Sequence, residues 1–175
     1  SQTDTPTSAH TYVPGTYDAS AVYTQIKDRF QTEAEKYYFQ AGYNGKAVDF
    51  DELKNNKELL SVYGFGVALG GHVELSIKCL VYGADPTFGL VGAVFAQNPV
   101  LVILMLDKGA NPNVSVLGVG TLLGTGRFFE DNTLFFCTGD DIINFAAILG
   151  NEEIVDILLS LGADVDGALG GAAYV

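Results

Sequence analysis

The same short sequence follows three apolar segments of this chain, and this repetition limits the fold more than any other feature. Each segment is followed directly by Gly-Ala-Asp or Gly-Ala-Asn, at residues 83–85, 109–111 and 162–164. The segments have similar lengths and cover residues 72–82, 99–108 and 152–161. Each begins after a two-residue break, at residues 70–71, 97–98 and 150–151. A repeated pattern of break, apolar segment and glycine is typical of repeat architectures.

The third copy indicates what each repeat forms. Apolar residues at 142, 143, 146 and 147 recur with the period of a helix, and Asp140 or Asp141 is placed to cap that helix. After the break, a second helix has an apolar side and an acidic side, formed by Ile154, Ile157 and Leu158 and by Glu152, Glu153 and Asp156. Two short amphipathic helices joined by two residues pack antiparallel and cannot bury their apolar faces alone. The sequence therefore predicts stacked helical hairpins.

Helix, break, helix and Gly-Ala-Asp in three copies resembles the ankyrin repeat, whose hairpins stack through one continuous core. The resemblance implies an all-α, ankyrin-like solenoid. The resemblance itself covers about residues 59–113 and 140–166, and the solenoid that it implies spans 58–175, with repeats at 58–87, 88–113 and 140–166 and an insertion at 114–139. Two features depart from the family pattern. The tetrapeptide Thr-Pro-Leu-His is absent, and the glycines at 83, 109 and 162 are 26 and 53 residues apart, where the family period is about 33.

Residues 1–57 precede the repeats. Residues 1–17 have no apolar period and predict an extended tail, and 18–57 predict a helical cap. Within the cap we expect one helix from Ala19 to about Gln40, capped by Asp18 or Ser20. Its predicted apolar stripe comprises Tyr23, Ile26, Phe30, Ala34 and Tyr37. The helix either closes the open end of the stack or binds a partner through Tyr37 and Tyr38, and both roles are compatible.

The insertion is the main predicted contact with a partner. It is too long for a simple connection between repeats, and such segments are usually functional. It carries Arg127 beside Phe128 and Phe129, and arginine and aromatic residues often anchor interfaces. The alternative is that these side chains fold back over the gap between repeats. A further predicted contact is the face of the first helix, with Tyr63 and Phe65.

Charge limits the partners. Nine lysines and arginines against 21 aspartates and glutamates give a net charge of −12, which repels nucleic acid and anionic membranes. An uncharged run covers 86–106, but its centre at 97–99 is polar and contains a proline. Because that centre breaks a helix, we expect no membrane span.

No residue pattern predicts catalysis, a metal or a cofactor. The glycines at 118, 120 and 124 lack the strand, helix and lysine of a nucleotide loop. His10 lies in the tail, and His72 begins a repeat helix in a structural position. Cys79 is predicted to be a buried thiol, whereas Cys137 lies in the insertion, and whether the two meet is open.

These features favour a non-catalytic protein–protein interaction module that acts as scaffold, adaptor or linker subunit and binds one or more proteins. The alternative is a fixed peripheral subunit of a large organellar assembly, such as a photosynthetic membrane complex. The chain begins with Ser1 and its one methionine is Met105, so we expect a processed or trimmed form that is soluble or peripheral. A third hypothesis, a small enzyme, requires a pocket where Arg127, His72 and an acid converge.

Overall fold

Helices provide all the regular secondary structure of residues 18–114 and 141–163, the parts of the chain that the computed structural model describes. In chain order these helices are α1 (Ala19–Ile26), α2 (Glu33–Tyr43), α3 (Phe50–Leu53), α4 (Lys57–Leu69), α5 (Val73–Val81), α6 (Pro86–Phe95), α7 (Pro99–Asp107), α8 (Ile142–Ile148) and α9 (Glu152–Ser160). The predicted all-α class is confirmed. The helices after each break agree with the predicted bounds to within one residue.

The helices form two layers. Helices α2, α4, α6 and α8 pack against one another in that order and form an inner layer. Helices α5, α7 and α9 pack side by side in an outer layer. Each outer helix also contacts the inner helix that precedes it in the chain, so α4–α5, α6–α7 and α8–α9 are hairpins. Helix α1 lies against α6.

The break within each hairpin has the same geometry. The first helix ends at a residue with positive φ, and these residues are Gly71 at 79°, Gln97 at 52° and Gly150 at 74°. The next amide donates to a carbonyl oxygen five residues back at 3.1 Å in each case, from His72 to Val67, Asn98 to Ala93 and Asn151 to Ala146. This bond closes a Schellman turn, which glycine favours because it lacks a Cβ atom. The break therefore stops one helix and starts the next.

The Gly-Ala-Asp and Gly-Ala-Asn sequences close the hairpins in an equally regular way. Their glycines have positive φ, at 104° for Gly83, 98° for Gly109 and 115° for Gly162. Neighbouring hairpins are joined by hydrogen bonds at equivalent positions. The Asp85 N–H donates to Ser61 Oγ, and the Asn111 N–H donates to Thr87 Oγ1, both at 3.0 Å. Because Ser61 and Thr87 are 26 residues apart, as are Asp85 and Asn111, the same hydrogen bond recurs between successive hairpins.

The predicted cap contains one more copy of this unit. Gly45 lies 26 residues before Gly71, has a φ of 70°, and precedes the same bond, from the Lys46 N–H to the Ala41 carbonyl at 2.9 Å. Helix α2 occupies the inner layer and contacts α4. Helix α3 takes the place of an outer helix but is only one turn long. The hairpin pattern therefore begins one unit earlier than the sequence predicted.

The prediction of a single helix from Ala19 to about Gln40 is wrong. The structure has α1 and α2, separated by residues 27–32. Asp18 caps α1 as predicted, accepting from the Ala21 N–H at 2.8 Å. Thr32 starts α2 with a capping box, because its Oγ1 accepts from the Glu35 N–H at 3.1 Å while Glu35 Oε1 accepts from the Thr32 N–H at 3.0 Å.

Glycines allow the inner helices to touch. A Cβ atom on Gly66 would lie 2.3 Å from the Phe39 carbonyl oxygen, and one on Gly42 would lie 2.4 Å from that of Tyr63. Gly92 meets the Phe65 carbonyl oxygen in the same way, at 2.7 Å. Because these neighbours are backbone atoms, they cannot turn aside for a side chain. The separation of the inner helices is therefore set by glycine.

The described residues on either side of 115–140 meet at one place. The Ile142 N–H donates to the Val114 carbonyl oxygen at 2.7 Å, so the two ends of the segment are neighbours. Helices α8 and α9 then pack against α6 and α7. The stack thus continues across the segment between them.

The uncharged run at 86–106 is divided between α6 and α7, as its central break predicted. The turn between them contains Gln97 in the positive φ region. Within the described ranges, no helix has both the length and the apolar character needed to cross a membrane.

Candidate protein-interaction surface

The outer layer has a buried side and a solvent-facing side. Its buried side is anchored by equivalent residues of α5, α7 and α9, and these are Cys79, Met105 and Leu158. Its opposite side carries large apolar side chains with high exposure, which are Ile77 at 46%, Val81 at 76%, Val100 at 61%, Ile103 at 48% and Leu161 at 50%. We call these five residues the outer apolar row. Four of the five lie on α5 and α7, which pack against each other, and Leu161 is the residue that directly follows α9.

The row follows from the repeat register. Ile77 and Ile103 are 26 residues apart and hold the same position in α5 and α7. In α9 that position is Asp156, and Val100 corresponds to Glu153. At the position of Ile77 and Ile103 the outer layer therefore changes from apolar on α5 and α7 to acidic on α9, whereas the position of Val100 is already acidic in α5, at Glu74.

A shallow groove runs between α7 and α9 where these two regions meet. Its volume is about 630 Å³, and it is lined by Ile103, Glu153, Asp156, Ile157, Ser160 and Leu161. We call it the α7/α9 groove. Five of the six residues come from 153–161 and recur at the spacing of one helix face. The groove thus has an apolar floor with two carboxylates on its α9 side.

The cations of the outer layer are engaged elsewhere. Lys78 Nζ lies 4.9 Å from the centroid of the Phe50 ring, a cation–π distance. Lys108 Nζ lies 4.0 Å from Asp107 Oδ2. Among the described residues, no lysine, arginine or histidine forms an ion pair with Glu153 or Asp156. The two groove carboxylates are exposed to solvent.

Tyr37 and Tyr38 form a second, smaller exposed feature at the other end of the stack. The Tyr37 side chain is 49% exposed, and its ring meets that of Tyr38 edge-on at 5.2 Å. Lys46 Nζ lies 5.1 Å from the Tyr37 centroid. Burial, and then the negative charge of Glu52, raises the pKa of the half-buried Tyr38 hydroxyl. Contact with a partner through this pair stays a prediction.

Tyr63 and Phe65 lie in the core, which differs from their expected place on a surface. Tyr63 is 0% exposed, and its hydroxyl donates to the Lys46 carbonyl oxygen at 2.7 Å. Burial raises the pKa of this hydroxyl to about 12. The Phe65 ring packs 5.2 Å from that of Phe39. These side chains are buried because α4 is packed between α2 and α6, so the first-helix face offers them to no partner.

Arg127, Phe128 and Phe129 lie outside the described residues. Of the residues that the enzyme hypothesis brings together, Arg127 and His72, the structure describes only His72. That imidazole has a structural role, because its Nε2–H donates to the Tyr43 carbonyl oxygen at 2.8 Å and joins two hairpins. Among residues 18–114 and 141–163, no three histidine, cysteine, aspartate or glutamate side chains are placed to share a metal ion.

Sequence reasoning missed the outer apolar row. Helix α7 carried a signal, because its sequence Pro-Val-Leu-Val-Ile-Leu-Met-Leu is apolar on every side. A helix in the outer layer buries only one side, so some of these residues must face solvent. The equivalence of Ile77 and Ile103 was a second signal.

Comparison of the sequence with protein-family models gives no match. Comparison with curated proteins also gives no match.

Proposed function

We propose that this chain is a non-catalytic protein-interaction module, built as an ankyrin-like solenoid, that acts as scaffold, adaptor or linker subunit. The observation that carries the proposal is the outer apolar row. Four large apolar side chains at 46–76% exposure lie on the adjacent helices α5 and α7, and a fifth, Leu161 at 50%, directly follows α9. Contiguous exposed apolar surface of this kind usually marks a binding site for another protein.

The solenoid part of the proposal is supported by the repeated turns. Four units have positive φ at equivalent positions, at Gly45, Gly71, Gln97 and Gly150. Neighbouring hairpins make the same bonds through Ser61 and Thr87. Stacks of this type present extended surfaces to partners. Among the described residues, the large apolar side chains with high exposure lie on or directly after the outer helices, apart from Tyr37 on α2, whereas α4, α6 and α8 of the inner layer are mostly buried.

A fixed subunit of a larger assembly is the second candidate. Val81 and Val100 are the two most exposed members of the row, at 76% and 61%. A transient partner leaves such side chains in water for much of the time, whereas a permanent partner removes that exposure. We therefore regard a permanent complex as a specific form of the same interaction function.

Site-specific photo-crosslinking tests the proposal. A photoreactive amino acid is placed at Ile77 or Ile103, and a matched probe is placed at Thr24 on the exposed side of α1. The chain is expressed in its native source and irradiated, and adducts are identified by mass spectrometry. We expect one discrete protein adduct from both row positions and none from Thr24.

Adducts that are equal at all three positions would contradict the proposal, as would the absence of a discrete adduct from the row. Recovery of the same partner protein without irradiation, after purification in high salt, would favour the fixed subunit. Recovery only after irradiation would favour an adaptor. Thermal unfolding of each labelled chain verifies that the probe leaves the fold intact.

A further inference from the structure

The α7/α9 groove has the shape and charge to bind a particular kind of segment. We infer that it binds a basic amphipathic helix of a partner protein, with apolar residues on the groove floor and lysines or arginines against the α9 edge. This inference rests on the proposed function and assigns the chemistry of the partner.

The floor supplies the apolar part of the contact. Ile103 and Leu161 are 48% and 50% exposed, and Ile157, which also lines the groove, is partly buried. These side chains come from two helices that pack against each other. A partner's leucine or isoleucine placed between them would remove apolar surface from water on both sides. The floor therefore favours an apolar stripe.

The α9 edge supplies the charge. Glu153 and Asp156 are exposed, lie three residues apart on one helix face, and both line the groove. The described part of the chain offers them no ion-pair partner. Lysines or arginines of a partner would gain from both carboxylates, and the net charge of −12 would speed their approach.

The geometry of the edge favours a helix over an extended segment. The lining residues of α9 recur at 153, 156, 157, 160 and 161, the i, i+3, i+4, i+7, i+8 pattern of a straight helix face. Eight steps of about 1.5 Å give a lining about 12 Å long, or about two turns of a partner helix. A groove between two helices that pack against each other accepts a third helix by the same packing that joins the first two.

A second copy of this chain fits the groove poorly. Two such grooves placed face to face would bring Glu153 and Asp156 of each copy close to those of the other. Like charges in contact oppose association, and each chain also has a net charge of −12. The same acids oppose an anionic membrane or a nucleic acid.

A designed peptide tests the inference. The probe is a fluorescent 18-residue helix of leucine, lysine and alanine, with leucines at i, i+3, i+4 and i+7 and lysines on both flanks. Its matched controls are a scrambled peptide and a version with glutamate at every lysine. Binding to the full chain is measured by fluorescence anisotropy. We expect saturable binding of the lysine helix, with little binding of either control.

Charge reversal identifies the site. In Glu153→Lys with Asp156→Lys, we expect binding of the lysine helix to weaken at least five-fold and binding of the glutamate helix to appear. The matched control is Asp51→Lys with Glu52→Lys, which changes the net charge equally on the exposed side of α3. This control should weaken binding less than two-fold. Circular dichroism verifies the helix content of each variant.

Equal weakening by both charge-reversal variants would overturn the inference, because it would indicate an unspecific effect of net charge. Absence of saturable binding to the unaltered chain would also overturn it. So would a dimer of the unaltered chain, measured by light scattering, whose stability changes in the Glu153→Lys with Asp156→Lys variant, because a second copy would then occupy the groove. If photo-crosslinking at Ile77 still captures a partner in any of these cases, the proposed interaction function stands and only the groove assignment fails.

Discussion

At the scale of single residues, equivalent positions of successive hairpins perform the same task with different side chains. Cys79, Met105 and Leu158 occupy one such position on the outer helices, and their exposed fractions are 2%, 2% and 0%. Each fills the space between its own helix and the inner layer. The three side chains differ in volume, and what they share is burial and apolar character.

Leu158→Ala is expected to lower the free energy of unfolding by about 2–5 kcal/mol, because it removes a fully buried side chain and leaves a cavity. Glu153→Ala lies on the exposed side of the same helix and should cost less than about 0.5 kcal/mol. Urea unfolding of both variants measures the difference. Equal losses would mean that the wrong side of α9 has been assigned to the core.

Cys79 should resist alkylation in the folded protein and react only on unfolding. Its thiol is 2% exposed, and burial raises its pKa from the ordinary 9.0 to about 12. Reagent access and thiolate formation are therefore both suppressed in the native state. Labelling with iodoacetamide, with and without urea and followed by peptide mass spectrometry, measures this. Rapid labelling without urea would contradict the buried position.

The same thiol predicts how stability depends on pH. Between about pH 9 and pH 12 the unfolded chain loses the Cys79 proton while the folded chain keeps it. The unfolded state then binds fewer protons, so the free energy of unfolding falls as pH rises through this window. Below pH 9 the contribution of this group is fully present. Urea unfolding at pH 8 and pH 10.5 measures this loss. The free energy of unfolding should fall less between the two pH values in Cys79→Ala than in the unaltered chain, and an equal fall would contradict the assignment.

At the scale of helices, two glycines of α4 separate a packing role from a propensity effect. A Cβ atom on Gly66 would meet the Phe39 backbone at 2.3 Å, whereas one on Gly64 would meet the Ala84 and Cys79 Cβ atoms at 3.6 and 3.8 Å. The first contact forces α2 and α4 apart, while the second is ordinary van der Waals contact. Glycine to alanine is therefore expected to change the free energy of unfolding in opposite directions at Gly66 and Gly64.

Gly66→Ala is expected to lower the free energy of unfolding by at least about 1 kcal/mol, because overpacking outweighs the higher helix propensity of alanine. Gly64→Ala has the higher helix propensity of alanine without the clash, so it should raise the free energy of unfolding by about 0.5–1 kcal/mol. Thermal and urea unfolding of the pair provide the comparison. If both variants gain stability, the close approach of α2 and α4 is incorrect.

The turn at Gln97 carries a second expectation at this scale. Gln97 has a φ of 52°, where the equivalent turns have Gly71 and Gly150. Gln97→Gly relieves a backbone cost of about 1–2 kcal/mol and loses part of this gain through greater freedom when unfolded. Gln97→Ala keeps the strain and, like the glycine variant, removes the bond from Asn151 Nδ2 to Gln97 Oε1 at 3.3 Å.

We therefore expect Gln97→Gly to be more stable than Gln97→Ala by about 0.5–1 kcal/mol. Urea unfolding of the two variants in parallel measures this difference. A more stable alanine variant would indicate that the turn does not require positive φ at this residue.

The elements that were predictable from sequence are those with local signals. The helices after each break were predicted well because glycine at positive φ ends a helix and Asn98 or Asn151 caps the next one. The end of α1 was missed although the pattern Thr32-x-x-Glu35 gave a local start signal for α2. The burial of Tyr63 and Phe65 depends on which helices surround α4, and aromatic residues occur both in cores and at interfaces.

At the scale of the whole molecule, two properties of the surface bear on which partner the chain binds. The chain has a net charge of −12, and its described outer layer exposes an apolar row that ends at the acidic edge of α9. The first property disfavours strongly acidic partners, and the second is the place of contact that we propose. The repeat pattern made the stack predictable, but the row required the packing of the helices to be known.

The central claim is that the outer apolar row binds a partner protein and is not needed for folding. Its most direct test combines Val100→Ser with Ile103→Ser and measures partner capture and thermal unfolding on the same sample. The matched control is Ser20→Ala with Thr24→Ala on the exposed side of α1. We expect the row variant to bind the crosslinked partner at least ten-fold more weakly, about 1.4 kcal/mol, with a Tm within about 2 °C of the unaltered chain because both side chains are exposed. Unchanged capture by the row variant, or a loss of capture that only follows a lower Tm, would contradict the claim.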